Sequence, residues 1–238
     1  MLSRYGYLGP GSRLRMYQYL PYLRSQGLEI TVSALLDDAY VRRLYSRLPV
    51  QKTRVLAAYL ARLGRLLRAR GRYDLLWIQW ELFPWLPTIA EIALGSGVPY
   101  VADYDDAIFH RYDLHSSALV RAVLGRKIDA VMARAKVVVV GNDYLKARAL
   151  QAGARQVMKI PTVIDLDRYR VVPDRDQDSF VVGWIGTNST ADYLNLIAAP
   201  LAQFCARRAC KLVVVGVRDI QLPGVEVECR PWIGRAHV

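Results

Sequence analysis

Three aspartates stand close together in the stretch YVADYDDAIFHRYD: Asp103, Asp105 and Asp106. Residues 99–103 form a short apolar run with the character of a buried strand, so the cluster falls at that strand's carboxyl end. Ligands of open α/β sheets bind outside those ends. Neighbouring carboxylates disfavour one another's ionisation. Asp105 and Asp106 are therefore candidates for acid–base work, and Asp103 for holding a substrate hydroxyl. The plain alternative is a solvated loop in which Asp106 pairs with Arg111.

Two glycine-bearing turns could receive a phosphate. The first, GYLGPGSR, covers residues 6–13. Gly9 and Gly11 allow close backbone approach, Ser12 could cap the following helix, and Arg13 and Arg15 add positive charge. The second, GWIGTNSTADYL, covers residues 183–194. Gly186, Thr187 and Asn188, with Ser189 and Thr190, repeat the order of strand, glycine, hydrogen-bonding residues and helix. Two such turns suggest a ligand held between two domains; two ordinary capped helices are the alternative. Gly9 and Gly11 also match the first two glycines of the dinucleotide fingerprint, but Leu14 stands where the third belongs. With Asp37 or Asp38 as a ribose ligand, an oxidoreductase is a weaker alternative.

Charge supplies the fourth candidate. Residues 42–72 hold ten basic side chains and no acidic one. At about 100° per residue, Arg54, Arg62, Arg65, Arg68 and Arg72 share one helix face, and Leu56, Tyr59, Leu60, Leu63, Leu66 and Leu67 the other. The apolar face is expected to pack on a sheet. The arginine face, with Arg62, Arg65 and Arg68 as contacts, is expected to meet an anionic membrane surface.

These candidates need a scaffold, and the hydrophobic pattern provides one. Strands are expected at 2–5, 28–35, 75–79, 99–103, 136–140 and 157–160. Helices are expected at 54–70, 116–135 and 144–151. Such alternation predicts an α/β fold with a parallel sheet covered on both faces. Residues 166–178, rich in aspartate and broken by proline, read as a linker. The pattern then restarts with strands at 180–185, 212–215 and 225–228 and a helix over 190–208. The organisation expected is two Rossmann-like domains: residues 1–165, and an incomplete one at 179–238.

Composition narrows the function classes. The 238 residues are 53% hydrophobic and 23% charged, a globular balance. No apolar run reaches the roughly 20 residues of a membrane span, and the N-terminus lacks a signal peptide's apolar core. A cytoplasmic location is expected, peripheral at the inner membrane face. Cys205, Cys210 and Cys229, and the three scattered histidines, show no metal-ligand spacing, so neither metal nor cofactor is expected. The net charge of +12 permits nucleic acid, but no nucleic-acid-binding signature accompanies it, and none is expected as a partner.

With these residues in view, the chain resembles the GT4-type retaining glycosyltransferases of GT-B architecture. Four stretches carry the likeness: SRYGYLGPGSRLRMYQYLPYLRSQGLEITV, YVADYDDAIF, KIPTVIDLDRY and VVGWIGTNSTADYLNLI. The resemblance implies a nucleotide-diphosphate sugar donor and a glycan or lipid-linked acceptor. It places Gly9, Gly11 and Ser12 on one side of the diphosphate, and Gly186, Thr187 and Asn188 on the other. Asp105 and Asp106 occupy the position where that family often carries a His-Asp pair. The family's later basic pair and glutamate-x7-glutamate segment have no counterpart after Cys229. The expectation is therefore a chain that stops short of a complete donor site, with weak donor binding and little turnover. A non-catalytic binding fragment is the rival from another class.

Overall fold

The computed structural model describes all residues except 47, 50, 95, 96, 168–170, 172–179, 188, 189 and 232–238. The chain divides into two compact units, Met1–Ile164 and Asp165–Val238. Most of the stretch expected as a linker lies outside the described residues.

The first unit is built on six strands: β1 (Leu2–Tyr5), β2 (Ser33–Leu36), β3 (Leu76–Gln79), β4 (Tyr100–Tyr104), β5 (Val137–Val140) and β6 (Val157–Lys159). They pair in the order β2-β1-β3-β4-β5-β6, every neighbour parallel. The short apolar runs explain this: β5 is four consecutive valines, three of them buried. β-Branched side chains favour the pleated backbone, and a strand covered on both faces has no need to alternate with polar residues.

The connections carry helices α1 (Pro10–Arg15), α2 (Leu20–Ser25), α3 (Asp38–Tyr45), α4 (Lys52–Leu67), α5 (Thr88–Leu94), α6 (His110–Asp113), α7 (Ala118–Leu124), α8 (Lys127–Arg134) and α9 (Asp143–Gln151). Asp37 and Asn142 cap α3 and α9 by accepting from the amides of Tyr40 and Leu145. The single helix expected over 116–135 is two, α7 and α8. The break follows Gly125, where a Cβ would collide with the carbonyl oxygen of Arg121. One core cluster joins Ala102, Tyr104, Val138 and Val140 to Ile128, Met132 and Leu145. A second joins Leu2, Leu76 and Ile78 to Leu66 and Phe83, and Tyr100 packs against both.

In the second unit β7 (Phe180–Ile185), β8 (Cys210–Val215) and β9 (Glu226–Arg230) form a parallel sheet in that order. The helix expected over 190–208 is a 3₁₀ segment, Ala191–Ile197, followed by α10 (Ala198–Arg207). The three cysteines are free thiols. No helix among the described residues is long and apolar enough to cross a membrane.

Helix α4 overturns an expectation. Arg62 is 1% exposed, so it is not a membrane contact. Its guanidinium reaches inward and donates to the carbonyl oxygens of Ser3 (2.8 Å), Ser33 (2.9 Å) and Leu82 (3.4 Å). Burial first, and the charge of Arg4 second, work against its cation. The carbonyls of the strand ends hold it in place. Burying Arg62 rolls the helix away from the face its leucines alone would choose. Leu66 is buried, but Leu56, Leu60 and Leu67 are 61%, 58% and 67% exposed. Arg65, bonded to Ser33 Oγ, and Arg68 are exposed.

Replacing Arg62 tests this inward role. Arg62→Gln cannot reach all three carbonyls, and each buried polar group left unpaired costs about 1–3 kcal/mol. The expected outcome is a loss of at least about 2 kcal/mol in urea unfolding, against little change for Arg68→Gln. Equal stability of the two variants would return Arg62 to the surface.

Candidate active site

The sheet order fixes where a ligand would lie. From β1 the chain passes to β2 on one side, then returns past β1 to β3 on the other. Connections therefore diverge between β1 and β3, and the crevice at the carboxyl ends of these strands is the switch point where open α/β sheets bind ligands. Among the segments that leave the sheet at this end, three flank the crevice: residues 6–9 after β1, 80–87 after β3 and 105–109 after β4.

The latter two meet at Asp105. This half-buried carboxylate accepts a hydrogen bond from Trp80 Nε1 on its Oδ1, at 2.8 Å. Its Oδ2 lies 3.2 Å from the point a Cβ on Gly11 would occupy, and Gln79 Nε2 lies 3.7 Å from the same point. Gln79 is 1% exposed; its Oε1 accepts from Ser12 Oγ (2.7 Å) and from the Arg4 amide (3.0 Å). Its Nε2 is buried with no hydrogen-bond partner among the described residues. Asp106 is exposed. Partial loss of hydration first, and the Asp105 charge second, hold its carboxyl above the usual range, while Arg111 pulls the other way.

The other expected contacts take different places. Asp103 is 3% exposed and faces inward, which corrects its assignment as a substrate contact. Arg15 grips its Oδ1 through Nε (2.9 Å) and a terminal nitrogen (2.7 Å), and Trp77 Nε1 donates to Oδ2 at 3.3 Å. Arg15 also donates to the Ile160 carbonyl at 2.6 Å, tying α1 to the chain beyond β6. Burial pushes the Asp103 carboxyl up to about 6 against the pull of Arg15. Ser12 is corrected likewise: it is fully buried, receiving the Tyr5 amide at 3.1 Å and donating to Gln79. Arg13 is 8% exposed, lies over the Tyr7 ring and donates to the Tyr7 carbonyl at 3.3 Å.

The glycines of the first turn answer to protein contacts. A Cβ on Gly6 would strike the Asp38 carboxylate, and one on Gly9 would lie 2.5 Å from Tyr5 Cβ. Asp38 accepts the Leu8 amide at 2.8 Å, so the acid weighed as a ribose ligand shapes the turn instead. In the second unit, a Cβ on Gly186 would meet the Trp184 ring at 2.5 Å and Thr190 Oγ1 at 2.9 Å. The Thr187 amide donates to Thr190 Oγ1 at 3.1 Å. Asn188 lies outside the described residues.

Sequence reasoning missed Gln79 and Trp80. The available signal was a polar residue closing the apolar run LLWIQ. Trp80 begins a segment whose backbone is held on nearly every side. Its φ is 64°, and that of Trp85 is 63°; both are left-handed, a costly region for residues other than glycine. The Trp80 amide donates to the Asp103 carbonyl at 3.0 Å, and its own carbonyl accepts Tyr104 Oη at 2.7 Å. Glu91 accepts the amides of Leu82 (2.9 Å) and Phe83 (2.7 Å). Lys127, fully buried, bonds the Phe83 carbonyl and pairs with Glu81 (2.7 Å) and Glu91 (3.1 Å). Tyr112 Oη donates to Glu81 and accepts the Trp85 amide. Tyr59 Oη donates to the Pro84 carbonyl.

No protein-family profile and no curated protein sequence matches the chain. Among solved structures, it is similar to the glycotransferase of kitacinnamycin, with 15% identity and a TM-score of 0.48 over 98% of this chain and 70% of that one. It is also similar to UGT89C1 of Arabidopsis thaliana, solved with UDP, with 14% identity and a TM-score of 0.43 over 92% of this chain and 61% of that one.

The placement of Ser12 is testable without a substrate. Ser12→Ala leaves the Tyr5 amide and Gln79 Oε1 each one partner short. The expected cost is about 1–3 kcal/mol in denaturant unfolding. An unchanged unfolding midpoint would show that the hydroxyl has no part in holding the turn.

Proposed function

We propose that this chain is a glycosyltransferase that moves a sugar from a nucleotide-diphosphate donor to an acceptor hydroxyl, with Asp105 as the acceptor-side carboxylate. One observation carries the reading. At the switch point of the first sheet, a half-buried carboxylate has one oxygen fixed by an indole N–H and the other beside the Gly11 turn. A carboxylate so held can orient an acceptor hydroxyl and take its proton as the new glycosidic bond forms. Asp106 stands next to it at the surface, where it can bind further hydroxyls. The GT-B architecture, the GT4 type and a retaining course rest on the four stretches of likeness; in a retaining reaction of that kind no enzyme nucleophile is required. The same likeness puts the Gly9–Gly11 turn near the donor diphosphate.

The test is release of nucleoside diphosphate from a panel of uridine and guanosine diphosphate sugars, offered with glycan and lipid-linked acceptors. It is run on the 238-residue chain and on the product of its complete reading frame. Asp105→Asn keeps the side chain's shape and removes its charge, so kcat should fall about a hundredfold or more. A loss below threefold would make Asp105 a solvated loop residue. A melting shift with NAD and none with any nucleotide sugar would favour the oxidoreductase.

A specific surface favours an acceptor at the cytoplasmic face of a membrane. Exposed Leu56, Leu60 and Leu67 form one stripe of α4, and the exposed cations Arg54, Arg65 and Arg68 lie on the opposite side of the helix. A helix that exposes both an apolar stripe and an arginine face suits the interface of an anionic bilayer. Replacing the three leucines by Gln should weaken binding to phosphatidylserine vesicles at any ionic strength. Replacing Arg65 and Arg68 by Gln should remove mainly the salt-sensitive part. Binding unaltered in both variants would exclude α4 as the contact.

A further inference from the structure

The strained segment 80–87 begins with Trp80, whose indole N–H holds Asp105 Oδ1. We infer that Trp80 is the positioning residue for Asp105, and that the buried Glu81–Lys127–Glu91 cluster is what keeps Trp80 in place; this rests on the glycosyl-transfer reading above.

Three observations support it. First, Trp80 is tied three times to β4 and the residue that follows it. Its amide meets the Asp103 carbonyl, its carbonyl meets Tyr104 Oη, and its indole meets Asp105. A side chain that is 7% exposed and anchored through both of its own peptide groups has little freedom to drift. The indole N–H therefore presents a fixed donor, and Asp105 Oδ1 is the acceptor.

Second, the conformation is costly. A left-handed tryptophan is sterically disfavoured, and such strain persists only when surrounding contacts over-determine it. Those contacts are present at the next residues. Glu81 follows Trp80 directly and is 2% exposed; Lys127 pairs with it, and Tyr112 donates to it. Glu91 holds the next two amides. A buried ion cluster is weak evidence for stability alone, because desolvation offsets much of the attraction. Here it fixes the backbone of a segment that has no helix or sheet ladder of its own.

Third, the alignment has a direction. With Oδ1 occupied by the indole, Oδ2 is the oxygen left at the switch point, beside Gly11. Losing the indole N–H would free the carboxylate to rotate, and misplacement of a reacting group by about 1 Å can cost about a hundredfold in rate.

The experiment compares Trp80→Phe, Asp105→Asn and the double variant by release of nucleoside diphosphate from whichever donor of the panel the parent turns over. The expected result is a fall in kcat of about tenfold or more for Trp80→Phe, with KM nearly constant. In the Asp105→Asn background, Trp80→Phe should add almost nothing, since a residue acting through Asp105 has nothing left to position. A merely structural role would instead multiply the two losses. A second readout needs no turnover. The chain has five tryptophans, so its ¹⁵N spectrum carries five indole N–H signals. The signal absent in Trp80→Phe should move in Asp105→Asn. Should Trp80→Phe fail to fold, Tyr104→Phe, which frees the Trp80 carbonyl, takes its place and should lower kcat in the same non-additive way. Parental kcat in the Trp80 variant, multiplied losses, or an unmoved indole signal would overturn the positioning role alone. No turnover of any donor by the parent would overturn the glycosyl-transfer reading and this role with it.

Discussion

Lys127 sits without solvent contact between two carboxylates, and the end of the sheet that bears the candidate site is organised around it. A single buried ammonium in that position would be prohibitive, and so would either glutamate. The ammonium offsets part of the two carboxylates' charge, Tyr112 Oη donates to Glu81, and Glu91 and Lys127 also bond the backbone of residues 82 and 83. Removing one member of such a group leaves an uncompensated buried charge, worth about 3–5 kcal/mol. Helices α5 and α8 are thus joined to the loop after β3 by charge as well as by apolar packing. The loop can then hold two tryptophans in a conformation that neither would adopt by preference.

The same logic governs Arg62, with carbonyls in place of carboxylates. Three backbone oxygens converge where the turn of a helix passes over the strand ends. A long, planar cation satisfies several acceptors at once, which an apolar side chain of equal volume cannot do. Satisfying them outweighs the burial of three leucines on α4. The outward leucines are therefore a consequence of an inward arginine.

Much of the scaffold was legible in the sequence, since short apolar runs and their spacing report burial directly. Among the described residues the nine strands stand at such runs, with β2 beginning five residues later than expected. The parallel order follows from the helical stretches between them. The helix break at Gly125 was not legible, because glycine within a helical pattern is tolerated as often as it is disruptive. Side-chain direction was harder still. A helical wheel separates apolar from charged residues, and so it assigns Arg62 outward; only the carbonyls of Ser3, Ser33 and Leu82, remote in sequence, turn it in. The glycines of the first turn suit a phosphate in the sequence; Gly6 and Gly9 also make room for Asp38 and Tyr5, and a sequence does not distinguish a ligand's approach from a neighbouring side chain's. Trp80 carried no motif at all: its role comes from a hydrogen bond to a residue 25 positions away.

The acidic cluster shows how the fold separates chemically identical residues. Asp103 is still on β4, and Asp105 is just beyond its end. On the strand, Asp103 is directed at Arg15 and Trp77, which occupy both of its oxygens. Arg15 continues to the Ile160 carbonyl, so that carboxylate joins α1, β4 and the chain after β6. Past the strand end the backbone no longer dictates alternation, and Asp105 can turn toward the crevice. Among the described residues it receives one side-chain donor, against three nitrogens for Asp103. A carboxylate with both oxygens engaged by protein donors can stabilise a fold but has little left for a substrate. One with a single anchored oxygen retains both a defined orientation and an open acceptor. Asp106, at the surface, keeps its acceptors but lacks the anchor. Of the three, Asp105 alone combines fixity with vacancy, and that combination is what moving a proton at a chosen atom requires.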